Sequence, residues 1–273
     1  MSERDFLIFR LRGPMSAFGE IAVGERRSLW DAPSKSGVLG LLAASLGIVR
    51  EDQTALARLD TELGFAVRID QAGQPLRDYH TAQAPTEANR TRRRKQGHDL
   101  STRKGDLDTD KDDLNTVLSE RFYRLEAAFT VALWARPDST PDLAALGEAL
   151  KRPVFTPYLG RKACPLSSPP LPHIARTDGL LAALSAYDAH WLTRDQALSK
   201  PFAFRGLSLN ADSRPVWFEM QAGLDAEDAG AQPVRWRRDA LRNRPLWQFA
   251  DRQEGRLTWQ PPVIGAPDRE DAA

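Results

Sequence analysis

A chain of 273 residues, 41% hydrophobic and with seven tryptophans, has material for one large domain or two small ones. Its 38 basic and 37 acidic residues nearly cancel, so net charge selects no partner and only the distribution of charge informs. A single cysteine, Cys164, excludes an intramolecular disulfide framework and a zinc ribbon, and fits a reducing compartment.

The start, Met1-Ser2-Glu3-Arg4-Asp5, lacks a signal-peptide pattern. The longest apolar run, Gly37–Val49, is 13 residues, too short to span a bilayer. A cytoplasmic protein without membrane association is expected.

In chain order, Phe6–Arg12 reads as a first strand, apolar and then alternating, stopped by Gly13-Pro14. A loop of about 20 residues follows, with Phe18, Gly19, Arg26, Arg27 and Trp30; loops of that length are usually functional or disordered. A helix is then expected from Ser36 to Gly47, with Ser34 or Ser36 as N-cap. Its free amides and dipole, beside Lys35, describe an anion site. Gly37, Gly40, Ala44 and Gly47 share one face, which calls for close approach by another backbone. The spacing is not that of a P-loop.

A short helix between Arg50 and Thr61, a strand at Phe65–Asp70, a turn at Ala72–Pro75 and a returning strand at Arg77–Thr81 come next. From Pro85 to Leu118 the composition changes. Arg90, Arg92, Arg93, Arg94, Lys95, Arg103 and Lys104 precede Asp106, Asp108, Asp110, Asp112 and Asp113. With almost no apolar content this insert is expected to project from the body, partly mobile. Glu126–Trp134 is the strongest strand of the middle region. A helix capped by Asp138, Ser139 or Thr140 follows, with Leu143, Leu146 and Leu150 on one face, and then a strand and turn at Phe155–Lys162.

The proline-rich stretch Leu166–Pro172 reads as a domain boundary. Beyond it, strands are expected at Val216–Met220, Val234–Arg237 and Leu257–Thr258-Trp259, with a disordered tail over 266–273. The fold class is α+β. The order is that of a ferredoxin-like (RRM-like) βαββαβ domain over 1–165, carrying an insertion at about 85–118, with a smaller β-rich region over 166–265.

Four histidines and one cysteine are scattered without ligand spacing, so no metal or cofactor site is expected. The Asp106-x-Asp108-x-Asp110 run fails as a calcium loop, since Lys111 stands at its sixth position and Val117 at its twelfth. Tyr79-His80 could supply the acid and base of a metal-independent ribonuclease, although no third catalytic group is fixed. The basic insert suits phosphate contacts, and Arg26, Arg27, Lys35, Arg161 and Lys162 add to it if they converge.

Five stretches occur in register. They are Leu11-Arg12-Gly13-Pro14-Met15-Ser16-Ala17-Phe18-Gly19, Ser36-Gly37-Val38-Leu39-Gly40-Leu41-Leu42, Leu76-Arg77-Asp78-Tyr79-His80-Thr81, Phe129–Trp134 and Tyr158-Leu159-Gly160-Arg161-Lys162-Ala163-Cys164-Pro165-Leu166. Together, over residues 5–170, the chain closely resembles the Cas-five subunit family of the type I-E CRISPR Cascade complex, in the RAMP superfamily. The resemblance implies a non-catalytic protein that binds the 5′ handle of the CRISPR RNA. It also implies a thumb-like insertion touching a Cas-seven type backbone subunit, and docking of the large PAM-reading subunit, hence an indirect link to target DNA.

The RNA-binding residues expected on this reading are Arg26, Arg27, Ser34, Lys35, Ser36, Gly37, Tyr79, His80, Arg92, Arg93, Arg94, Lys95, Tyr158, Gly160, Arg161 and Lys162. No catalytic or metal residue is assigned. A repeat-processing endoribonuclease using Tyr79 and His80 is the alternative, and a protein-only assembly adaptor a third reading.

Overall fold

A computed structural model describes residues 3–20, 25–197, 213–224, 230–243, 246 and 248–261. The expected tail over 266–273 lies outside the described residues. The described residues form two compact units. One takes them from Met1–Phe18, Trp30–Gln74 and Arg124–Ala273, the other from Gly19–Leu29 and Pro75–Tyr123.

The larger unit is built on a seven-stranded sheet. Its strands are β1 (Arg4–Arg12), β4 (Leu63–Gln71), β7 (Ala128–Ala135), β8 (His173–Thr177), β9 (Arg214–Glu219), β10 (Gln232–Asn243) and β11 (Gln248–Trp259). The strand order is β10-β11-β9-β4-β7-β1-β8, and every pair with a register is antiparallel. β1, β4 and β7 lie inside the sheet and are buried on both faces, as their near-continuous apolar runs require. Helix α6 (Leu180–Ala197) covers one face, where Leu180, Ala183, Leu184 and Tyr187 join Phe6, Ile8, Trp134 and Phe218 in a buried cluster. Helices α1 (Lys35–Leu46), α2 (Gln53–Glu62) and α5 (Leu143–Lys151) pack with one another or with β1, β4 and β10.

Several expectations are corrected here. Phe155–Leu159 is not a strand; the sheet's edge beside β1 is β8 instead. The proline-rich stretch at 166–172 does not divide the contacts, because β8 to β11 share a sheet with β1, β4 and β7. Helix α5 is capped by Asp142, whose carboxylate accepts from the Ala145 N–H at 2.9 Å, and not by the three candidates before it. The small-residue side of α1 is its half-buried side, while Val38, Leu39, Leu41 and Leu42 are buried.

The smaller unit contains the short strand β3 (Arg26–Arg27), most of β5 (Gln74–Pro85) and β6 (Leu114–Leu125), and between these two the helices α3 (Glu87–Lys95) and α4 (Arg103–Leu107) and a 3-10 turn. The remaining strand, β2 (Met15–Ser16), pairs antiparallel with Arg124 and Leu125 in the larger unit. The insert is folded despite its composition because its interior is polar. Asn89, Arg93 and Asp106 are buried and hydrogen-bonded in place of an apolar core. Among the described residues, no helix is long and apolar enough to cross a membrane.

Candidate nucleic-acid interface

Helix α1 begins where Ser34 caps it, its hydroxyl accepting from the Gly37 N–H at 3.0 Å, and ends at Gly47 in the left-handed region (φ 76°). Its amide end is closed by the chain itself: the Lys35 N–H donates to Asp239 Oδ2 at 2.7 Å. The Lys35 side chain is buried. Its ammonium donates to the Asp60 carbonyl at 2.8 Å and to Glu219 Oε2 at 3.1 Å. Burial pulls the Lys35 pKa below its ordinary value, and the Glu219 and Asp60 carboxylates oppose that pull. The anion site expected at Lys35 is therefore corrected: this lysine is an internal counter-ion to carboxylates, out of reach of a phosphate. Ser36 is half-buried, its hydroxyl 3.3 Å from that of Ser34. The Phe18 ring lies where a Cβ on Gly37 would stand 3.2 Å from it, so a side chain is what approaches the small residue.

Phe18 leads to a second meeting point. Beyond α5, Tyr158 pairs with Pro165 in a β-bridge, the Leu159 N–H donates to the Cys164 carbonyl at 2.8 Å, and the Cys164 N–H donates to the Arg161 carbonyl at 2.8 Å. This tight loop rests on the segment after β1, where the Ala17 N–H donates to the Leu159 carbonyl at 2.9 Å. Gly160 makes the contact possible. It sits at φ 87°, and a Cβ there would stand 2.1 Å from the Ala17 carbonyl oxygen. The loop thus presents Tyr158 and Lys162 as exposed and Arg161 as half-buried, while Leu159 and Cys164 anchor it from inside.

The smaller unit holds the other half of the expected residues. Arg26 is exposed and stacks its guanidinium 5.2 Å from the Phe122 ring, and Arg27 is half-buried beside it on β3. On β5, Tyr79 is 59% exposed, and the half-buried His80 bonds through Nε2 to the Asp78 carboxylate. Neighbours in a strand point to opposite faces, so Tyr79 and His80 cannot address one reacting group.

In α3, Thr86 caps the start and Arg92, Arg93, Arg94 and Lys95 fill the last turn, which suits the helix dipole. The four have different neighbours. Arg93 is buried and donates to the Asp106 and Gly105 carbonyls at 3.0 Å each. Arg92 pairs with Asp113 at 2.6 Å, and the adjoining Arg90 holds Asp106 in two bonds at 2.9 and 2.6 Å. Asp106 is held below the usual carboxylate range, first by its bond from Arg90. Arg94 and Lys95 are exposed. The acidic stretch is thus the counter-charge of the basic one, with Arg93 corrected from a surface ligand to a buried strut.

Of the sixteen expected residues, eight lie in the larger unit (Ser34 to Gly37, Tyr158 and Gly160 to Lys162) and eight in the smaller (Arg26, Arg27, Tyr79, His80 and Arg92 to Lys95). Sequence reading missed the buried carboxylates that claim Lys35, which come from α2, β9 and β10. The available signal was the alternation Arg235, Arg237, Asp239 opposite Arg252 and Glu254, charged residues at a period of two facing inward. Arg252 bridges Asp239 at 2.7 Å and also bonds Glu254. Burial pushes the Glu254 carboxyl up, but Arg252 and Arg237 outweigh it and hold it below its ordinary value. No group of three or more His, Cys, Asp or Glu side chains among the described residues is placed to hold a metal ion.

A mixed α/β unit on a large antiparallel sheet has known counterparts. The family described as CRISPR-associated protein (Cas_Cas5) matches residues 6–249, and the chain belongs to that family. The CRISPR system Cascade subunit CasD of Escherichia coli (strain K12) is 37% identical over 174 residues, covering 61% of this chain and 69% of that protein. A solved "CRISPR RNA-guided surveillance complex" contains a chain with TM-score 0.61 and 25% identity, over 97% of this chain and 95% of that one. A "Crystal structure of Cas protein" gives TM-score 0.54 and 26% identity over 93% and 94%.

Proposed function

We propose that this chain is a non-catalytic subunit of a type I-E Cascade complex that binds the 5′ handle of the CRISPR RNA in the cytoplasm. The observation that carries this is the Tyr158–Pro165 loop. It is fixed on the Ala17 backbone and presents Tyr158 and Lys162, with Arg161, on the unit that holds the family's sheet. Cations held by a rigid loop suit phosphates, and an exposed ring suits an unstacked base. Arg26, Arg27, Tyr79, Arg94 and Lys95 are proposed as contacts from the smaller unit, whose insert at about 85–118 is read as the thumb. The backbone subunit of Cas-seven type and the large PAM-reading subunit are the proposed protein partners, with target DNA met indirectly.

The order β8-β1-β7-β4 supports a ferredoxin-like, RAMP reading with β8 as the fourth strand. The opposed directions of Tyr79 and His80 support binding over cleavage. The test is incubation of the purified protein with repeat RNA, with and without EDTA. Retention of intact RNA in both agrees with the proposal, and a discrete cleavage product in either contradicts it.

A further inference from the structure

We propose that Phe155 and Tyr158 form a platform on which successive unpaired bases of a single-stranded RNA stack, bracketed by phosphate-binding pairs at Lys151-Arg152 and Arg161-Lys162. The proposal rests on the handle-binding reading above and extends it to a segment, 151–155, that lies outside the residues expected from sequence. Phe155 is 47% exposed, Tyr158 39% and the adjoining Val154 66%. The segment is anchored at both ends. The Val154 and Phe155 N–H groups each donate at 3.0 Å, to the Ser45 and Ala44 carbonyls at the end of α1, and the Tyr158–Pro165 bridge holds the other side. Pro153 and Pro157 further restrict the backbone between.

Two rings that face solvent from a fixed backbone offer surfaces on which a flat ligand stacks. Charge selects which ligand. Between residues 148 and 165 there are four cations and one carboxylate, Glu148, and its ion pair with Lys151 at 2.7 Å is exposed and cheap to exchange. Rings flanked by cations on a rigid surface match single-stranded nucleic acid, where aromatic stacking adds to phosphate contact.

The experiment measures binding of a single-stranded repeat-handle RNA, and of the same RNA with one abasic nucleotide placed at each position in turn. The full-length protein is compared with Phe155→Leu, Phe155→Trp and Arg161→Ala with Lys162→Ala. Phe155→Leu keeps apolar bulk without a ring, and an unchanged Tm verifies its fold. It is expected to weaken binding roughly five- to a hundredfold, Phe155→Trp to restore it. One abasic position should weaken the parent protein but not the leucine variant. Parent-like affinity of Phe155→Leu, or equal sensitivity of both proteins to every abasic position, overturns the platform. If the double charge variant still loses affinity in that case, the handle reading stands and only the platform falls. If the parent protein itself binds no RNA, both fall. Loss of a co-purifying protein subunit from Phe155→Leu, with RNA affinity unchanged, would show a protein surface and likewise overturn it.

Discussion

The Lys35 N–H donates to Asp239 Oδ2 at 2.7 Å, so a carboxylate 204 residues further along the chain closes the start of α1. Around that bond, Lys35, Asp60 and Glu219 form a buried charge cluster, and Arg252 adds a second bond to Asp239. The helix start that sequence presents as a phosphate cradle is instead the seat of β10.

Removing one member of a buried ion pair leaves an uncompensated charge, which costs about 3–5 kcal/mol. Lys35→Met is therefore expected to destabilise the protein by that order, read as a lower midpoint in urea. RNA affinity of the folded protein should not change. A stable variant with weakened RNA binding would return Lys35 to the phosphate role.

Gly160→Ala forces a side chain into a backbone at φ 87° and against the Ala17 carbonyl. Loss of stability by about 1–3 kcal/mol is expected, from strain of the kind a non-glycine residue bears there. RNA affinity should fall with it, because Arg161 and Lys162 lose their support. The reading requires both losses, seen by thermal unfolding and by filter binding.

Within the insert, Arg93→Ala and the pair Arg94→Ala with Lys95→Ala should separate. The first removes the bonds to the Asp106 and Gly105 carbonyls, leaving the latter only the Asp108 N–H at 3.4 Å, and should expose the insert to limited proteolysis. The second removes only exposed charge, so proteolysis should match the parent protein while binding to guide RNA weakens and its salt dependence flattens.

His173 of β8 and His190 of α6 stack at 3.8 Å between ring centroids and 15° between planes. Burial lowers both pKa values, His190 and Arg194 lower that of His173 further, and Arg194 that of His190. As pH falls below the ordinary value of 6.5, the unfolded chain takes up protons before the folded one. The stability held above that pH is then lost as pH drops through the lowered folded values. Thermal midpoints should decline as pH falls below about 6.5. His190→Phe, which keeps a stacked ring without a titrating group, should flatten the decline.

Sequence alone made β1, α1, β4 and β7 legible, because each carries an apolar run or period long enough to set its type, and α2 was legible as a short polar helix. Ser34 and Gly47 mark α1 at both ends. Element identity failed where the signal was short or non-local. Phe155–Leu159 has strand composition, yet its amides bond to carbonyls at the end of α1 and to its own turn.

The turn at Gly160 with its basic pair, Arg161 and Lys162, was legible because glycine and two cations stand together there. The burial of Lys35 and Arg93 was not. Their partners are Glu219, Asp60 and Asp239 in one case and two backbone carbonyls in the other; the charge alternation along β10 marks Asp239 as inward-facing but does not name Lys35 as its partner.

The most direct measurement is the affinity of handle RNA for the parent protein and for Arg161→Ala with Lys162→Ala, across a series of salt concentrations. If both side chains meet phosphates, affinity falls and the slope of log K against log salt becomes shallower by about 1.4, roughly 0.7 for each contact to a single strand. An unchanged affinity with an unchanged slope would contradict the assignment of this loop to RNA.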